Sequence, residues 1–344
     1  MRAIVVGGGP VGLFAATLAA QRGHDVLLFE RRDGSGDKAC GEGLMPSAVA
    51  ELQSVGVSLE GRAFGGIRYL DASGRQQVRA ELANGPGLGV RRTRLIEALR
   101  RAAFDAGVEI RTAAVTDVVQ SYDGVEVVAA SGDSASADVV LGCDGLSSTV
   151  RATIGVEREA SGPRRFGLVT HFAVEPWTTD VEVYWGATGE AYVTPVDDTQ
   201  VGVALLGGRG EPFNDRIREL VALEERLRDA PPVGKVLGAG PMRRVAASVV
   251  NGRVALVGDA AGYVDALTGE GIAVGLKSAR AAVRAAETGH LDTYAAEWRE
   301  ITRRPGQLTD ALVRATASST RRRWIVPAAS ALPQVFGRLV RSLA

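Results

Sequence analysis

A buried strand, a glycine-rich turn and an alanine-rich helix stand at the start of the sequence, and they limit its fold more than any other feature. Residues 2–6 form an apolar run that is typical of a buried parallel strand. Residues 10–22 have the apolar spacing of a helix, and residues 25–29 form a second buried strand that leads to Glu30. This strand–helix–strand unit of about thirty residues predicts an α/β fold.

The turn carries glycines in the spacing Gly7-x-Gly9-x-x-Gly12. We expect Gly7 to permit the tight turn, Gly9 to let the backbone approach a pyrophosphate, and Gly12 to let helix and strand pack closely. Glycine is frequent in this chain, at 43 of 344 residues, so the spacing alone is weak support. The strand before it, the helix after it and the acid at Glu30 favour a dinucleotide site over a merely tight turn.

Neighbouring groups complete the predicted phosphate and ribose contacts. The first helical turn, with Pro10 and Val11, offers unpaired backbone N–H groups and a partial positive charge to phosphates. Glu30 lies 18 residues after Gly12, where its carboxylate would accept hydrogen bonds from a ribose diol. We include the adjacent Arg31 in this predicted cofactor site.

A second glycine-rich stretch follows a buried strand that ends at Val257. There Gly258 and Asp259 begin a loop, and a carboxylate at that corner would bind sugar-like hydroxyls. A simple NAD dehydrogenase has no need of such a corner so far from its first glycine loop, whereas the longer FAD has. The backbone N–H groups at the start of the next helix would stabilise negative charge on a reduced flavin; they belong to Gly269, Glu270, Gly271 and Ile272.

A third stretch places Asp144, Gly145 and Arg151 at another strand end. A carboxylate, a turn and a guanidinium in one short loop suit ribose and phosphate contacts. A turn tied by an Asp144–Arg151 ion pair explains the same residues equally well, so both interpretations stay open. We retain Asp144 and Gly145 as candidate cofactor residues.

Composition narrows the function classes. Lys plus Arg equals Asp plus Glu at 40 each, so no net charge favours nucleic acid. The two cysteines, Cys40 and Cys143, form no CxxC pair, and we predict no metal. No stretch of about 18 apolar residues is present to span a membrane. No basic region with a long apolar run precedes the first strand, so we expect a cytoplasmic protein.

In order and separation, these three stretches resemble the FAD-dependent monooxygenases of the para-hydroxybenzoate hydroxylase superfamily and its geranylgeranyl-reductase-like branch. The resemblance covers about residues 1–290. It implies a Rossmann-like FAD-binding domain of the three-layer ββα type, interleaved with a smaller, mainly antiparallel sheet that forms the substrate face. It also implies that Arg92 and Asp259 contact the ribityl–pyrophosphate part of FAD and that Val115 lies near the adenine.

The predicted division of the chain follows from the nucleotide-domain-like segments at both ends and the alternating segments between them. Residues 72–75 should form a hairpin turn, and residues 212–230 a charged helix. The predicted ranges are 1–64, 88–162 and 245–290 for the FAD-binding domain, 65–87 and 163–244 for the substrate domain, and 291–344 for a helical C-terminal region.

Residues 40–43, Cys-Gly-Glu-Gly, place a thiol, a carboxylate and two glycines within four residues, and we call them the CGEG turn. The resemblance places Cys40 and Gly41 beside the flavin ring, opposite residues 269–272. Glu42 would then orient a substrate hydroxyl or relay a proton, and we name Cys40 and Glu42 as candidate catalytic residues. The alternative is a glycine turn that lets the chain pass close to the flavin, in which Cys40 is a small buried apolar residue.

For His171, a structural histidine whose hydrogen bonds are satisfied is favoured over a base that faces substrate.

The leading functional prediction is an NAD(P)H-dependent FAD monooxygenase that hydroxylates a hydrophobic aromatic or polyketide-like small molecule. The CGEG turn and Gly262, where hydroxylases more often carry histidine, favour the alternative of a reductase of isoprenoid double bonds. A flavin-binding electron carrier is a third possibility. No second complete glycine loop exists in the sequence, so NAD(P)H would bind transiently.

The basic, apolar tail from residue 321 is either a helix packed on the protein or a segment that lies on a membrane surface.

Overall fold

A computed structural model describes residues 1–34 and 37–343. The strands in chain order are β1 Arg2–Val6, β2 Asp25–Glu30, β3 Gly43–Leu44, β4 Arg62–Phe64, β5 Gly66–Asp71, β6 Gln77–Glu81, β7 Gly87–Gly89, β8 Glu109–Thr112, β9 Val115–Gln120, β10 Val125–Ala129, β11 Ser134–Ala137, β12 Val139–Gly142, β13 Glu157–Arg158, β14 Phe166–Ala173, β15 Val181–Trp185, β16 Gly189–Pro195, β17 Gln200–Gly207, β18 Pro232–Ala239, β19 Arg244–Ala246, β20 Val250–Asn251, β21 Val254–Leu256 and β22 Gly262–Tyr263.

The helices in chain order are α1 Pro10–Gln21, α2 Pro46–Gln53, α3 Arg92–Asp105, α4 Thr149–Thr153, α5 Phe213–Arg218, α6 Val221–Leu227, α7 Gly271–Glu287, α8 Leu291–Ala315, α9 Ser319–Arg322, α10 Ile325–Ala331 and α11 Pro333–Arg341, with a short 3-10 helix at Gly258–Ala260. Within the described ranges, no helix has the length and apolar character that crossing a bilayer needs.

The predicted strand–helix–strand unit forms the centre of a six-stranded sheet in the order β20-β21-β12-β1-β2-β8. β1 pairs in parallel with both β2 and β12, so that Ile4 lies between Leu27 and Val140. The inner residues of these strands are apolar and buried because both faces of the sheet are covered. Helix α1 packs against α3 and α7, and the small antiparallel sheet of β9, β10 and β11 joins the same core. The predicted three-layer α/β unit is confirmed.

A second sheet of seven strands runs in the order β18-β14-β17-β16-β15-β5-β6. Its neighbours are antiparallel except for the β15–β5 pair, which agrees with the mainly antiparallel sheet expected. β5 and β6 form the predicted hairpin. All seven strands lie within residues 65–87 and 163–244, while the domain boundaries themselves stay a prediction.

One predicted element in this region is wrong. Residues 212–230 form two short helices, α5 and α6, rather than one charged helix. The break falls at Leu220, whose backbone angles of −99° and 71° are not helical. Leu220 is 3% exposed and belongs to the core under the sheet, so packing of this side chain prevails over the helical tendency of its charged neighbours.

The C-terminal region is helical, as predicted, and part of it covers the seven-stranded sheet. Helices α10 and α11 pack against β6, and Phe336 lies 4.7 Å from Tyr69 between ring centroids. Trp185 contacts the same tyrosine at 5.3 Å. Val326 and Val340 are also buried in this cluster. The inner face of the tail therefore packs on the protein body.

Candidate functional site

The three glycines of the first turn have distinct surroundings. Gly7 has a φ of +109°, and a Cβ there would lie 2.5 Å from the carbonyl oxygen of Cys143. A Cβ on Gly12 would overlap the carbonyl oxygen of Gly7, so these two positions are fixed by close packing. Gly9 differs, because its nearest neighbour would be Nη2 of Arg92 at 3.8 Å. The loop is therefore closed by protein at Gly7 and Gly12 and open at Gly9.

Glu30 lies at the mouth of this loop. Its carboxylate accepts hydrogen bonds from the backbone N–H of Gly8 at 2.6 Å and of Arg32 at 3.1 Å. A cleft opens here, lined by Gly8, Gly9, Glu30, Arg32, Gly34, Lys38, Arg92, Ile96 and Arg100. Among the described residues it is Arg32, rather than the predicted Arg31, that lines this cleft.

The Gly258–Asp259 corner meets the first glycine loop. Gly258 has a φ of +61°, and a Cβ there would lie 3.3 Å from Val11 at the start of α1. Burial raises the pKa of Asp259 to about 6, and the charges of Arg92 and Lys38 oppose that rise. Since Arg92 also lies beside Gly9, the two glycine-rich stretches come together around the start of α1 and Arg92. This convergence is what a single extended dinucleotide requires.

Asp144 and Gly145 lie against the same loop. A Cβ on Gly7 would come within 2.8 Å of the Cα of Asp144. Oδ2 of Asp144 accepts a hydrogen bond from the N–H of Val150 at 3.0 Å, whereas Oδ1 is buried without a hydrogen-bond partner among the described residues. Burial raises the pKa of this carboxyl. A buried acceptor without a protein donor is a place for a ligand hydroxyl.

Arg151 corrects both interpretations of this loop. Its guanidinium is 1% exposed and donates to the carbonyl oxygens of Ala260 and Leu146 at 3.0 and 2.9 Å. It also pairs with Glu157 at 2.9 Å. Arg151 therefore neither faces a phosphate nor pairs with Asp144. It ties the 141–151 loop to the Gly258–Ala260 helix, a long-range contact that the local motif did not reveal.

The start of α7 forms the other end of the site. Gly269 has a φ of +71° with open space at its Cβ position, and the residue before the helix, Glu270, makes no side-chain capping hydrogen bond. Burial raises the pKa of Glu270 to about 7. A Cβ on Gly271 would lie 3.2 Å from the ring of Tyr263. Burial, and after it the charge of Asp259, raises the pKa of Tyr263. The Tyr263 ring thus packs against the start of α7.

Glu42 is held by protein groups on both carboxylate oxygens. Nε2 of His171 donates to Oε2 at 2.6 Å, and the backbone N–H of Arg92 donates to Oε1 at 2.8 Å. Glu42 and His171 are each 4% exposed, and Glu42 has a φ of +57°, a strained conformation for a residue other than glycine. A hydrogen bond that joins the CGEG turn to the middle sheet therefore holds this strained backbone.

Cys40 and Gly41 are anchored as well. The N–H of Glu42 donates to Sγ of Cys40 at 3.4 Å. Burial raises the pKa of the thiol, although Arg92 opposes the rise, so Cys40 keeps its proton near neutral pH. The carbonyl oxygen of Gly41 accepts a hydrogen bond from Oγ1 of Thr194 at 2.8 Å. A protonated thiol thus lies on a turn whose position is fixed from the sheet.

Comparison with known proteins decides the family. Residues 1–307 match the family described as FAD binding domain. The chain belongs to this family. Among curated relatives, it is 29% identical to a menaquinone reductase of Mycolicibacterium smegmatis over 86% of this chain and 78% of that protein. It is 30% identical to a digeranylgeranylglycerophospholipid reductase of Methanocella arvoryzae over 86% of this chain and 82% of that protein.

This FAD-binding-domain protein is also similar to proteins that are named for other reactions. It is 34% identical to a 3-hydroxybenzoate 6-hydroxylase of Klebsiella oxytoca, but only over 51% of this chain and 46% of that protein. The structure of the myxobacterial chondrochloren halogenase CndH superposes with a TM-score of 0.81 at 21% identity, covering 99% of this chain and 90% of that one. That likeness shows the fold. The protein is thus an FAD-dependent oxidoreductase.

The residues fit FAD. The open backbone at Gly9, the unpartnered Oδ1 of Asp144 and the half-buried carboxyl of Asp259 face the region where the sequence predicts the cofactor. Val115, at the start of β9, is half-buried against the main core, and its adenine contact stays a prediction. The binding roles of the other named residues stay predictions in the same way.

Strand β16 carries site residues that sequence reasoning missed. Tyr192 donates from its hydroxyl to the carbonyl oxygen of Leu267 at 2.8 Å, and Thr194 donates to Gly41. Glu190, on the same side of the strand, pairs with Arg165, which also lies 3.0 Å from Asp265. The period of two in residues 189–195 was the available signal, because alternate residues of a strand face the same side.

Proposed function

We propose that this protein is a cytoplasmic FAD-dependent reductase that saturates carbon–carbon double bonds of an isoprenoid chain. The observation that carries the proposal is the extent of the similarity to reductases, which covers 86% of this chain against 51% for the hydroxylase. The anchored CGEG turn supports it, because that turn puts a protonated thiol at the predicted flavin end of the cleft.

The chain supplies a complete binding path for the cofactor. The loop from Gly7 to Gly12 and the N-terminus of α1 would hold the pyrophosphate, and Glu30 would hold the adenosine ribose. Asp259 would bind the ribityl hydroxyls, and the free N–H groups at the start of α7 would face the ring. When bound, FAD supplies the two electrons of the reduction, and a transient NAD(P)H would replenish them.

Reduction of one double bond adds two electrons and two protons. The protonated thiol of Cys40 would supply a proton to the substrate carbon and would regain it from solvent. Glu42 and His171 act as positioning residues, because their hydrogen bond holds the turn that carries the thiol. The apolar cluster that includes Leu267, Val313 and Phe336, between the sheet and the C-terminal helices, keeps water from this side.

The second candidate is the monooxygenase that the sequence analysis predicted, which the similarity to the hydroxylase over half of the chain supports. Anaerobic turnover distinguishes the two. Enzyme reduced without oxygen should convert a geranylgeranyl compound to a product with two more hydrogens per double bond. A product that forms only when oxygen is admitted, and that carries an added oxygen atom, would establish hydroxylation and overturn the reductase proposal.

The same preparation tests whether the protein turns over at all. Oxidation of NAD(P)H that accelerates when substrate is added would exclude an electron carrier without small-molecule chemistry. A Cys40→Ala variant should retain FAD and accept electrons at the normal rate while product formation slows by about 100-fold or more, the range expected on loss of a general acid. Unchanged product formation in this variant would remove Cys40 from the mechanism.

A further inference from the structure

The outward side of helices α10 and α11 is an apolar stripe that the protein leaves uncovered. Trp324, Leu332 and Val335 are 64%, 58% and 55% exposed. Trp324 and the exposed Ala328 are four residues apart, about one turn of α10, whereas Leu332 lies at the non-helical junction before α11 and Val335 lies in the first turn of α11. We call these four residues the tail stripe. The opposite side is buried on the sheet, so the stripe is not needed for folding.

Positive charge surrounds the tail stripe. Residues 311–344 contain six arginines and no acidic residue. Arg321 and Arg338 are exposed, and they lie three residues before Trp324 and three residues after Val335 in the sequence, so guanidinium groups flank the apolar residues on both sides along the chain. Arg322 is different, because its guanidinium donates to the carbonyl oxygens of Ala187 and Thr316 and is used inside the protein.

The acids of neighbouring elements do not cancel this charge. On β6, the strand under these helices, Glu81 pairs with Arg79 at 3.1 Å. Glu219 accepts hydrogen bonds from the backbone and the hydroxyl of Thr188 at 3.3 and 2.9 Å. The exposed side of the tail therefore presents an indole, two aliphatic side chains and guanidinium groups. The surface lies outside residues 1–307, the part that matches the family.

We propose that the tail stripe docks the protein on the surface of an anionic lipid bilayer. Trp324 would lie at the headgroup level, where indole rings favour the boundary between water and hydrocarbon. Leu332 and Val335 would enter the edge of the acyl region, and Arg321 and Arg338 would meet lipid phosphates. An exposed apolar surface flanked by guanidinium groups is complementary to a negatively charged lipid surface. The inference stands independently of the proposed reaction.

The test is flotation of the full-length, FAD-loaded protein with vesicles. Phosphatidylcholine vesicles that contain phosphatidylglycerol should bind the protein, and pure phosphatidylcholine vesicles should bind it far less. Added salt should weaken binding because it screens the arginines. Emission from tryptophan should shift to shorter wavelength on binding, because Trp324 is 64% exposed whereas Trp185 is 5% exposed.

Variants test whether vesicle binding depends on the tail stripe or on other parts of the protein surface. Trp324→Ser combined with Leu332→Ser should lower vesicle affinity by about tenfold or more, and Arg321→Glu combined with Arg338→Glu should abolish the preference for anionic lipid. Tyr122→Ser is the matched control, since Tyr122 is 95% exposed on the β9–β10 turn, and it should bind as the natural chain does.

Three results would overturn the proposal. They are failure of the natural protein to float with anionic vesicles, equal loss of binding in the Tyr122→Ser control, and a change from dimer to monomer on size exclusion in the stripe variants without vesicle binding. The last result would identify a second copy of the chain as the partner. Reductase activity on a short, water-soluble substrate should be the same in all these variants, so a failed reaction and a failed docking surface are distinguishable.

Discussion

The hydrogen bond between Glu42 and His171 gives the sharpest test of the site. It joins residues 129 positions apart, from the CGEG turn to β14, at 2.6 Å with both side chains 4% exposed. The perturbation is Glu42→Gln, which keeps the shape of the side chain but not its charge. An amide offers one oxygen where two donors now point, so either His171 or the N–H of Arg92 faces an NH₂ group.

The expected cost follows from these contacts. A buried hydrogen bond to a charged group contributes about 1.5–3 kcal/mol, so we expect about 2–3 kcal/mol of lost stability. For 344 residues at about 2.1 cal/mol/K each, the entropy of unfolding is about 0.7 kcal/mol/K, which places the fall in Tm near 3–4 °C. In a double-mutant cycle with His171→Gln, direct contact predicts a coupling energy of about 1–3 kcal/mol.

Thermal unfolding by circular dichroism measures stability, and stopped-flow absorbance measures substrate reduction. Glu42→Gln should keep FAD bound and slow turnover, because the strained turn that carries Cys40 loses its tie to the sheet. Glu182→Gln is the matched control: Glu182 is also 4% exposed on the same sheet and accepts from Tyr184 at 2.7 Å, so it should lose stability without losing turnover. Additive single effects together with normal turnover in Glu42→Gln would refute the positioning role.

Three further predictions concern the cofactor cleft. Gly9→Ala should fold and bind FAD at least tenfold more weakly by fluorescence titration, because of the three motif glycines it is the one whose Cβ position is open to a ligand. Gly12→Ala should lose folded protein outright, as seen by circular dichroism, and equal FAD affinity in Gly9→Ala would contradict the loop assignment. Asp259→Ala should weaken FAD binding by about 1–3 kcal/mol through lost charged hydrogen bonds, which calorimetry would show. The FAD-free protein should lose stability as pH rises from about 4 to 6, because burial raises the pKa of Asp259 from 3.8 to about 6. Between these values the folded state binds a proton that the unfolded state has lost, so deprotonation disfavours folding. The slope of Tm against pH should flatten in Asp259→Asn, and an unchanged slope would assign the effect to another group.

The glycine motif could be predicted because its requirements lie in the backbone. Gly7 needs a positive φ and Gly12 needs the absence of a Cβ, and both needs follow from local geometry. The meeting of Gly258 with Val11 could be inferred only through the family resemblance. The role of Arg151 could not, since its partners Ala260 and Glu157 depend on how distant loops approach each other.

His171 illustrates the same limit. The sequence shows a lone histidine in an alternating strand, a pattern that a structural residue satisfies as well as a functional one. Its partner Glu42 is visible only when the second sheet closes over the CGEG turn. The prediction of a single helix over residues 212–230 was wrong for a different reason. Local propensity indicated a continuous helix, but burial of the Leu220 side chain interrupts it.

Strand β16 forms hydrogen bonds with two separate segments of the predicted flavin site: Thr194 donates to Gly41 in the CGEG turn, and Tyr192 donates to Leu267 shortly before α7. The seven-stranded sheet, which would determine substrate specificity, thus also stabilises the CGEG turn and the segment before α7, which would contact the flavin. A relative in which the seven-stranded sheet is replaced would have to keep hydroxyl side chains at the positions of Tyr192 and Thr194. Diversification of substrates on this scaffold is therefore expected to proceed around that strand and not through it.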